Sequence, residues 1–250
     1  MKASLTVLLL SSLCSLNVGV YRLHYFVNET LSFQEAEQRC MQDYDYLSTV
    51  RSKDLEDLSS NSLLKENFFW IGVKRDSADK KKWIWSEGGE ATITFWAKNE
   101  PDGDQCGAVQ KSAHTLYARP CGVRLRFYCM KVYELIVVHQ KSTWEEALEY
   151  CRQNYLDLAI INLEDIVEEA NISSTVADMD EMWTGLRFIA GHWFWVNGKR
   201  CDYDVWSSDG EIQCPDMNQR CGVFDRTQGV CKSADCERKL NFLCVKEKYD

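Results

Sequence analysis

The sequence has no excess of positive charge and lacks the motifs of common catalytic centres. It carries 29 Lys and Arg against 38 Asp and Glu, and the net charge of −9 offers no basic surface for nucleic acid. It contains no Gly-x-Ser-x-Gly, no His-Glu-x-x-His and no phosphate-binding glycine loop, and its four histidines are scattered. We therefore expect neither an enzyme nor a nucleic-acid-binding protein.

The sequence also lacks a long apolar run beyond its start. No later stretch approaches the roughly 20 apolar residues that are needed to cross a bilayer. At the start, one lysine precedes an apolar run from Ala3 to about Leu16, which predicts a cleaved secretory signal over residues 1–19. The mature chain then begins near Val20, and we expect a secreted, extracellular protein without a membrane anchor.

No Cys-x-x-Cys pair occurs among the twelve cysteines, which disfavours a zinc site. In an exported chain the cysteines instead predict disulfide bonds, because the export pathway is oxidising. Two Asn-x-Ser/Thr sequons, at Asn28 and Asn171, predict glycosylation. Together these features indicate a disulfide-bonded glycoprotein.

The chain repeats itself once, and this repeat determines the domain organisation. Cys40 and Cys151 are 111 residues apart in matching helical segments, and Trp70 and Trp183 are 113 apart in matching strands. Four pairs of segments correspond: 31–40 with 141–151, 68–73 with 181–186, 81–88 with 191–198, and 121–129 with 236–244. The sequence therefore predicts one fold used twice, over residues 20–131 and 132–247.

Each repeat predicts an α+β domain with two helices and a small antiparallel sheet. A β-rich run, at 25–27 and at 135–138, precedes a helix with a Ser or Thr cap followed by acidic residues. A second helix is predicted over 53–64 and 164–176, and short tryptophan-rich strands follow it. We interpret the Trp-x-Trp pairs as core residues rather than a stacking platform for sugar rings.

With these elements in order, both repeats closely resemble the C-type lectin-like domain. The resemblance rests on the first-helix cysteine, the Trp-Ile-Gly and Trp-Thr-Gly strands, the following Trp-x-Trp, the isolated Trp96 or Trp206, and three closing cysteines. It covers essentially the whole mature chain. The arrangement is similar to the secreted tandem lectin-like and mannose-receptor-like proteins.

The resemblance implies four disulfide bonds, a long and a short one in each domain: Cys40–Cys129, Cys106–Cys121, Cys151–Cys244 and Cys221–Cys236. Three cysteines of the mature chain remain. Cys201 and Cys214 flank one loop and are a candidate pair, although Cys231 could compete for Cys214. The thiol left over is either buried and unreactive or a link to another chain, which would make a disulfide-linked dimer through Cys231.

The resemblance implies how sugar-binding members hold calcium. They use a Glu-Pro-Asn or Gln-Pro-Asp loop together with an Asn-Asp pair on the adjacent strand, and the same groups hold sugar hydroxyls. The first domain keeps the loop half of this set in Glu100, Asp102 and Asp104. The strand half is replaced by the sequence Leu-Tyr-Ala at 116–118. We expect no calcium cofactor here, or a weak site formed by these three carboxylates.

The second domain departs further from the pattern. Its loop has no proline and offers Glu211 and Gln213 as weak ligand-binding candidates, beside those of the first domain. Lys232 stands where a calcium ligand belongs, and a positive charge there opposes metal binding. A nearby acidic cluster, Asp202, Asp204, Asp209 and Glu211, is interpreted as a solvated loop.

Two hypotheses follow for the function. The first is an extracellular recognition protein that binds a carbohydrate or glycoprotein ligand through the loops around 98–119 and 202–233, with little or no calcium dependence. The alternative is a partner in protein–protein contacts or a structural component that binds no sugar.

Overall fold

The computed structural model describes residues 16–160, 180–201, 206 and 215–249, with side chains described from Val20 onward. Residues 22–132 form one compact unit, here called the first unit. Residues 133–248, with the described residues before Arg22, form the second unit. The predicted second helix over 164–176 and the sequon at Asn171 lie outside the described residues.

In the first unit, two helices are followed by short strands. The elements are β1 (Leu16–Leu31), α1 (Phe33–Asp43), β2 (Tyr46–Leu47), α2 (Asp54–Ser60), β3 (Phe68–Arg75), β4 (Trp83–Trp85), β5 (Cys106–Gln110), β6 (Thr115–Arg119) and the first part of β7 (Leu125–Ser142). The first residues of β1, before Arg22, are grouped with the second unit. The helix predicted over 53–64 is shorter than expected. It ends at Ser60 because Asn61 leaves the helical conformation, with ψ at 119°.

The described elements of the second unit follow the order of their counterparts in the first. Its described elements after β7 are α3 (Trp144–Asn154), β8 (Asp157–Leu158), β9 (Glu181–Ile189), β10 (His192–Trp195), β11 (Cys221–Asp225), β12 (Val230–Ala234) and β13 (Leu240–Glu247). The predicted α+β class and the doubling of the fold are therefore confirmed.

The sheets are mixed, whereas the sequence predicted antiparallel ones. β3 pairs with β7 in parallel at Trp70 and Phe127, and β9 pairs with β13 in parallel at Trp183 and Phe242. The remaining pairs of described strands within each unit are antiparallel, such as β5 with β6 and β11 with β12. Parallel neighbours need a long connection. Three described strands with their loops lie between each tryptophan strand and its closing strand, β4 to β6 in the first unit and β10 to β12 in the second, and provide it.

The first helix of each unit begins at a capping box, as predicted. The Ser32 N–H donates to Glu35 Oε2 at 2.9 Å, and the Thr143 N–H donates to Glu146 Oε2 at 2.9 Å. Each glutamate thereby satisfies a backbone donor at the start of its helix. The pKa of Glu35 is lowered first by the backbone bond from Ser32, and the pKa of Glu146 first by Lys239.

Two buried tryptophans lie in the core of each unit, and they occupy corresponding positions in the two units. Trp70 and Trp183 are fully buried, and their indole N–H groups donate to the carbonyls of Leu31 at 3.0 Å and Ser142 at 2.8 Å. Trp193 is also fully buried, and Trp83 is 6% exposed. These rings are core residues, as the sequence predicted.

Four disulfide bonds join the pairs that the resemblance implied: Cys40–Cys129, Cys106–Cys121, Cys151–Cys244 and Cys221–Cys236. The long bonds span 89 and 93 residues and connect the first helix of each unit to its closing strand. The short bonds span 15 residues in both units. The two units thus share one covalent framework.

Candidate functional site

The acidic loop of the first unit, residues 98–105, turns sharply before β5. Asn99 adopts a positive φ of 68°, and the peptide bond between Glu100 and Pro101 is cis. This turn directs the Glu100 side chain toward β6, where its Oε2 atom accepts the N–H of Asp102 and the N–H of Ala118, each at 3.0 Å. Glu100 therefore fastens the loop to the strand.

Arg75, at the end of β3, holds the same loop from the other side. Its guanidinium donates to the carbonyl oxygens of Asp104 at 2.8 Å and Lys80 at 2.9 Å, and also to that of Asp102. The guanidinium lies over the ring of Trp83, 4.8 Å from its centroid. One cationic side chain thus connects the loop to the buried tryptophan.

The carboxylates of the loop are not gathered for a metal ion. Asp102 Oδ1 accepts the N–H of Asp104 at 3.0 Å, and Glu100 is already hydrogen-bonded. Calcium takes six to eight oxygen ligands, but two carbonyls of this loop face the guanidinium of Arg75. A positive side chain among the donors opposes a divalent cation by Coulomb repulsion. The loop as arranged does not fit calcium.

No group of three or more His, Cys, Asp or Glu that could hold a metal ion occurs among the residues that the structure describes. Glu100, Asp102 and Asp104 are therefore near one another in sequence without forming a cage.

β6 supplies packing instead of ligands. Leu116 and Ala118 are fully buried and face the core. Tyr117 lies on the opposite face, where its ring meets Phe68 edge-on at 5.5 Å. The guanidinium of Arg119 covers both rings, 4.3 Å from that of Phe68 and 5.1 Å from that of Tyr117. The side chains at 116–118 therefore offer no carboxylate or amide to a metal ion.

In the second unit, the proposed ligand residues Glu211 and Gln213 lie outside the described residues, as do Asp202, Asp204, Asp209 and Cys214. Lys232, which corresponds to Tyr117, is already paired. Its ammonium lies 2.5 Å from Asp225 Oδ2. Lys232 therefore neutralises a carboxylate of its own sheet.

Asp225 is the most fully hydrogen-bonded acid of the second unit that the structure describes. Its Oδ1 atom accepts the N–H and hydroxyl of Thr227, at 2.8 and 2.6 Å, and the N–H of Gln228 at 3.1 Å. Burial alone would raise the pKa of Asp225, but these bonds and that from Lys232 outweigh it and leave the pKa below its usual value. The group stays ionised.

Cys231 does not lie on the surface, as a link to a second chain would require. Its side chain is 0% exposed, in the same apolar cluster as Cys201, Trp193 and Trp206. Burial raises the pKa of the Cys231 thiol, and the nearby Cys201 adds to the effect. A disulfide-linked dimer through Cys231 would require the core to open, so we do not retain it. The pairing of Cys201 with Cys214 stays a prediction.

The sequon at Asn28 is accessible. Asn28 is exposed on β1, and its side-chain oxygen accepts a hydrogen bond from Arg126 Nε at 2.7 Å. The side-chain nitrogen of Asn28 is the atom that would carry a glycan. It makes no hydrogen bond to the described part of the chain.

Sequence reasoning missed Arg75 and Asp225. Arg75 is the last residue of the strand that carries Trp-Ile-Gly, so a cation at that strand end was the available signal. Asp225 and Lys232 lie on neighbouring strands, and their contact follows from the pairing of Val223 with Lys232. That register is not visible from residue types alone.

Among the described residues, no helix combines the length and apolar character of a membrane span.

A sequence model of the family described as "Lectin C-type domain" matches this chain twice, over residues 29–131 and 140–246. The curated relatives include Lectin BRA-3 of Megabalanus rosa, 33% identical over 105 residues that cover 40% of this chain and 63% of that lectin. The secretory phospholipase A2 receptor of Mus musculus is 22% identical over 271 residues, covering 91% of this chain and 18% of the receptor. The chain thus spans less than two thirds of either relative.

Among solved structures, the carbohydrate-recognition domain of the mouse scavenger receptor C-type lectin matches with a TM-score of 0.40 and 21% identity. The match covers 44% of this chain and 89% of that domain.

Proposed function

The chain belongs to the C-type lectin domain family, and from this premise we propose that it is a secreted recognition protein that binds a carbohydrate or glycoprotein without calcium. The relatives are lectins and receptors, and the chain is non-enzymatic. The proposed ligand surface is the loop region around 98–119 of the first unit. In the second unit the corresponding region is 202–233.

The observation that carries this proposal is the loop that Arg75 and Glu100 hold. A recognition loop must keep its polar groups in fixed positions, because ordering a loop during binding reduces the affinity. Here the guanidinium of Arg75 binds two loop carbonyls, and Glu100 accepts two backbone N–H groups. These contacts order the loop through groups of the chain itself, which supports calcium-independent recognition.

The loop presents groups suited to hydroxyls. The Asp102 carboxylate and the Gln105 amide are exposed, and Asp104 is half-buried beside them. Carboxylate oxygens accept hydrogen bonds from sugar hydroxyls, and an amide can both donate and accept. Glu100 has an internal structural role and is not part of the proposed contact surface.

Export supports the extracellular assignment. Residues 1–19 have the pattern of a secretory signal, and the four disulfide bonds require an oxidising compartment. We propose that Asn28 and Asn171 carry N-linked glycans.

A glycan array probed with the purified, disulfide-bonded protein tests the carbohydrate part. We expect binding to a subset of glycans that is the same in calcium and in EDTA, and weaker for Asp102→Asn. An array that stays blank at high protein density in both buffers would contradict carbohydrate recognition.

The second candidate function is binding to a protein partner. It is favoured by the similarity to a receptor that is named for a protein, the secretory phospholipase A2. A blank array followed by affinity capture of a defined extracellular protein that Asp102→Asn weakens would support this function instead.

A further inference from the structure

The sheet of the first unit carries two aromatic rings and one cation at its surface, Phe68, Tyr117 and Arg119, here called the Arg119 face. All three side chains are half-buried. The Arg119 guanidinium lies over both rings, 4.3 Å from the centroid of Phe68 and 5.1 Å from that of Tyr117. Stacking of this kind fixes the position of a guanidinium, so the charge is held in place before any ligand arrives.

Arg119 is the one arginine of the first unit whose guanidinium has no oxygen partner in the described part of the chain. Residues 22–132 are all described and include seven arginines. The others bind a carboxylate, an amide oxygen or a backbone carbonyl: Arg22, Arg39, Arg51, Arg75, Arg124 and Arg126. Because a guanidinium carries its N–H donors in a planar fork, Arg119 has donors that an external acceptor can reach.

The second unit shows that the fold does not require this chemistry. It has charged or small residues at the corresponding positions: Glu181 for Phe68, Lys232 for Tyr117, Ala234 for Arg119 and Arg238 for Val123. Arg238 pairs with Glu181 at 2.5 Å. Lys232 pairs with Asp225, also at 2.5 Å. The second unit therefore satisfies the charges of this face internally, whereas the first leaves a cation for something else.

The ion pair of the second unit also locates Val123 in the first. The two units share the parallel register at this place, with Phe69 opposite Arg126 and Met182 opposite Asn241. Phe68 and Val123 occupy the positions of the Glu181–Arg238 pair, so they lie close together. Val123 is 40% exposed. An arginine beside a tyrosine and exposed apolar groups has the composition of a binding hot spot.

The two parts of the face define the chemistry of its partner. A carboxylate matches the guanidinium, because two parallel N–H···O bonds can form between them. The guanidinium covers the rings, so they do not offer an open face on which a sugar could stack. Phe68 and Val123 form no hydrogen bonds with hydroxyls, and burying a hydroxyl without a hydrogen bond is unfavourable. An apolar side chain therefore suits this part of the surface better than a sugar does.

We propose that the Arg119 face docks a protein segment that places an Asp or Glu carboxylate on Arg119 and an apolar side chain against Phe68 and Val123. The inference rests on the proposed recognition function, since β6 lies in the region 98–119, and it gives the protein-binding form of that function a partner chemistry. It does not use the acidic loop of residues 98–105, so the two can be tested separately.

Peptide display on the full, disulfide-bonded protein in EDTA tests the surface. A phage library of random peptides is selected on the wild type, and the enriched peptides are synthesised and titrated by calorimetry. The test variant is Arg119→Ala, which introduces the residue type that the second unit has at this position. The matched control is Arg39→Ala, because Arg39 is also half-buried but already pairs with Glu29 and Asp43.

We expect enriched peptides that carry an Asp or Glu beside apolar residues. Arg119→Ala should weaken their binding about tenfold or more, since the partner carboxylate loses its charged donor, and Arg39→Ala should leave it unchanged. Replacing the acid of the peptide by its amide should weaken binding to the wild type and have no further effect on Arg119→Ala. Phe68→Glu should also weaken binding, because it offers Arg119 a carboxylate of its own unit.

Arg119→Lys keeps the charge and loses the forked geometry, so it should bind with an intermediate affinity. This variant separates loss of the contact from loss of the fold. A Lys variant that binds no better than Arg119→Ala while its melting temperature equals that of the wild type would still place the contact on the fork.

Peptides that bind the wild type and Arg119→Ala equally would overturn the docking surface, as would enriched peptides without an acid or a selection without enrichment. Binding to acidic glycans that Arg119→Ala abolishes would assign the cation to a sugar and overturn the protein segment. The proposed function has a separate readout. A glycan-array signal that Asp102→Asn weakens and Arg119→Ala preserves would support it even where the peptide selection fails.

Discussion

Arg75 in the first unit and Phe188 in the second occupy the same place in the fold. Each donates its backbone N–H to the residue before a cysteine strand, Arg75 to the Gln105 carbonyl at 2.8 Å and Phe188 to the Arg220 carbonyl at 2.9 Å. Each side chain packs on the first tryptophan of the Trp-x-Trp pair, at 4.8 Å for Arg75 and 5.4 Å for Phe188. The two positions therefore share a backbone hydrogen bond and a packing contact, and they differ in the side chain, which is a cation in one unit and an apolar ring in the other.

The difference shows which parts of this fold can change. Both side chains cover a tryptophan, so either satisfies the core. Only the guanidinium also has N–H donors, and in the first unit these hold the acidic loop. Tyr117 and Lys232 also occupy corresponding positions and differ in the same way. Tyr117 packs on Phe68, whereas Lys232 pairs with Asp225. The framework is shared, and the recognition groups are particular to each unit.

If the framework is shared, loss of the long disulfide should have the largest effect and an equal one in both units. Cys40→Ala with Cys129→Ala, and Cys151→Ala with Cys244→Ala, should each lower the free energy of unfolding of their own unit by about 2–5 kcal/mol. Denaturant-dependent hydrogen exchange, followed on peptides of each unit, measures the two values. Losses that differ by more than about 2 kcal/mol would break the equivalence of the units.

Arg75→Phe should give the first unit the residue that the second unit has at this position, Phe188, and so remove the donor that holds the acidic loop. The loop carbonyls lose their charged donor, so the free energy of unfolding should fall by about 1–3 kcal/mol. Residues 98–105 should exchange amide hydrogens faster. The reverse variant Phe188→Arg provides the comparison in the second unit.

Arg75→Lys is the matched control, because it keeps the charge over Trp83 and loses the forked geometry. We expect an intermediate effect. Unchanged exchange in the loop of Arg75→Phe would show that other contacts order it.

Acid should destabilise the second unit more than the first. The pKa of Asp225 is lowered in the folded state, so its ionised form contributes stability at all pH values above the ordinary value of 3.8. This contribution is lost as the pH falls through the folded-state pKa. The first unit has Gln110 at the corresponding position, which does not titrate.

Asp225→Asn should cost the second unit about 1 kcal/mol at neutral pH and remove this part of its acid sensitivity. Unfolding curves of each unit between pH 7 and pH 2 measure the effect. The capping glutamates Glu35 and Glu146 both have lowered pKa values. Each unit contains one of them, so their contributions to acid sensitivity offset each other when the two units are compared. Identical acid sensitivity in Asp225→Asn and the wild type would contradict the role of Asp225.

The smallest effect is expected at the sequon. Asn28 lies on the exposed side of β1, and the corresponding residue of the second unit is His139. Asn28→Gln should remove one glycan from the protein secreted by eukaryotic cells and change stability by less than about 0.5 kcal/mol. Mass spectrometry before and after enzymatic deglycosylation checks the occupancy. An unmodified Asn28 would refute the predicted glycan.

The framework was predictable because each of its elements leaves a local mark in the sequence. Ser32 and Thr143 precede acidic residues by the spacing of a capping box, and Trp70 and Trp183 recur with their neighbours in order. The four disulfide pairs came from the family resemblance, not from spacing. The parallel strand pairs were missed, since the direction of pairing depends on where the chain returns to the sheet.

The site was less predictable because its contacts join distant residues. The sequence identified Glu100 as a metal-ligand candidate, but its partner is the N–H of Ala118 on another strand. Arg75 and Asp104 are 29 residues apart, and their contact needs both the strand end and the loop turn to be known. The sequence left the thiol of Cys231 as either buried and unreactive or a link to another chain, and the structure places it in the core.

The central claim is that Arg75 and Glu100 order the acidic loop without calcium. Calorimetric titration of calcium into the purified, disulfide-bonded protein tests it most directly, with hydrogen exchange of residues 98–119 measured in calcium and in EDTA. We predict no heat of binding and no change in exchange up to several millimolar calcium. Binding that Glu100→Gln with Asp102→Asn abolishes, accompanied by slower exchange of the loop in calcium, would contradict the account.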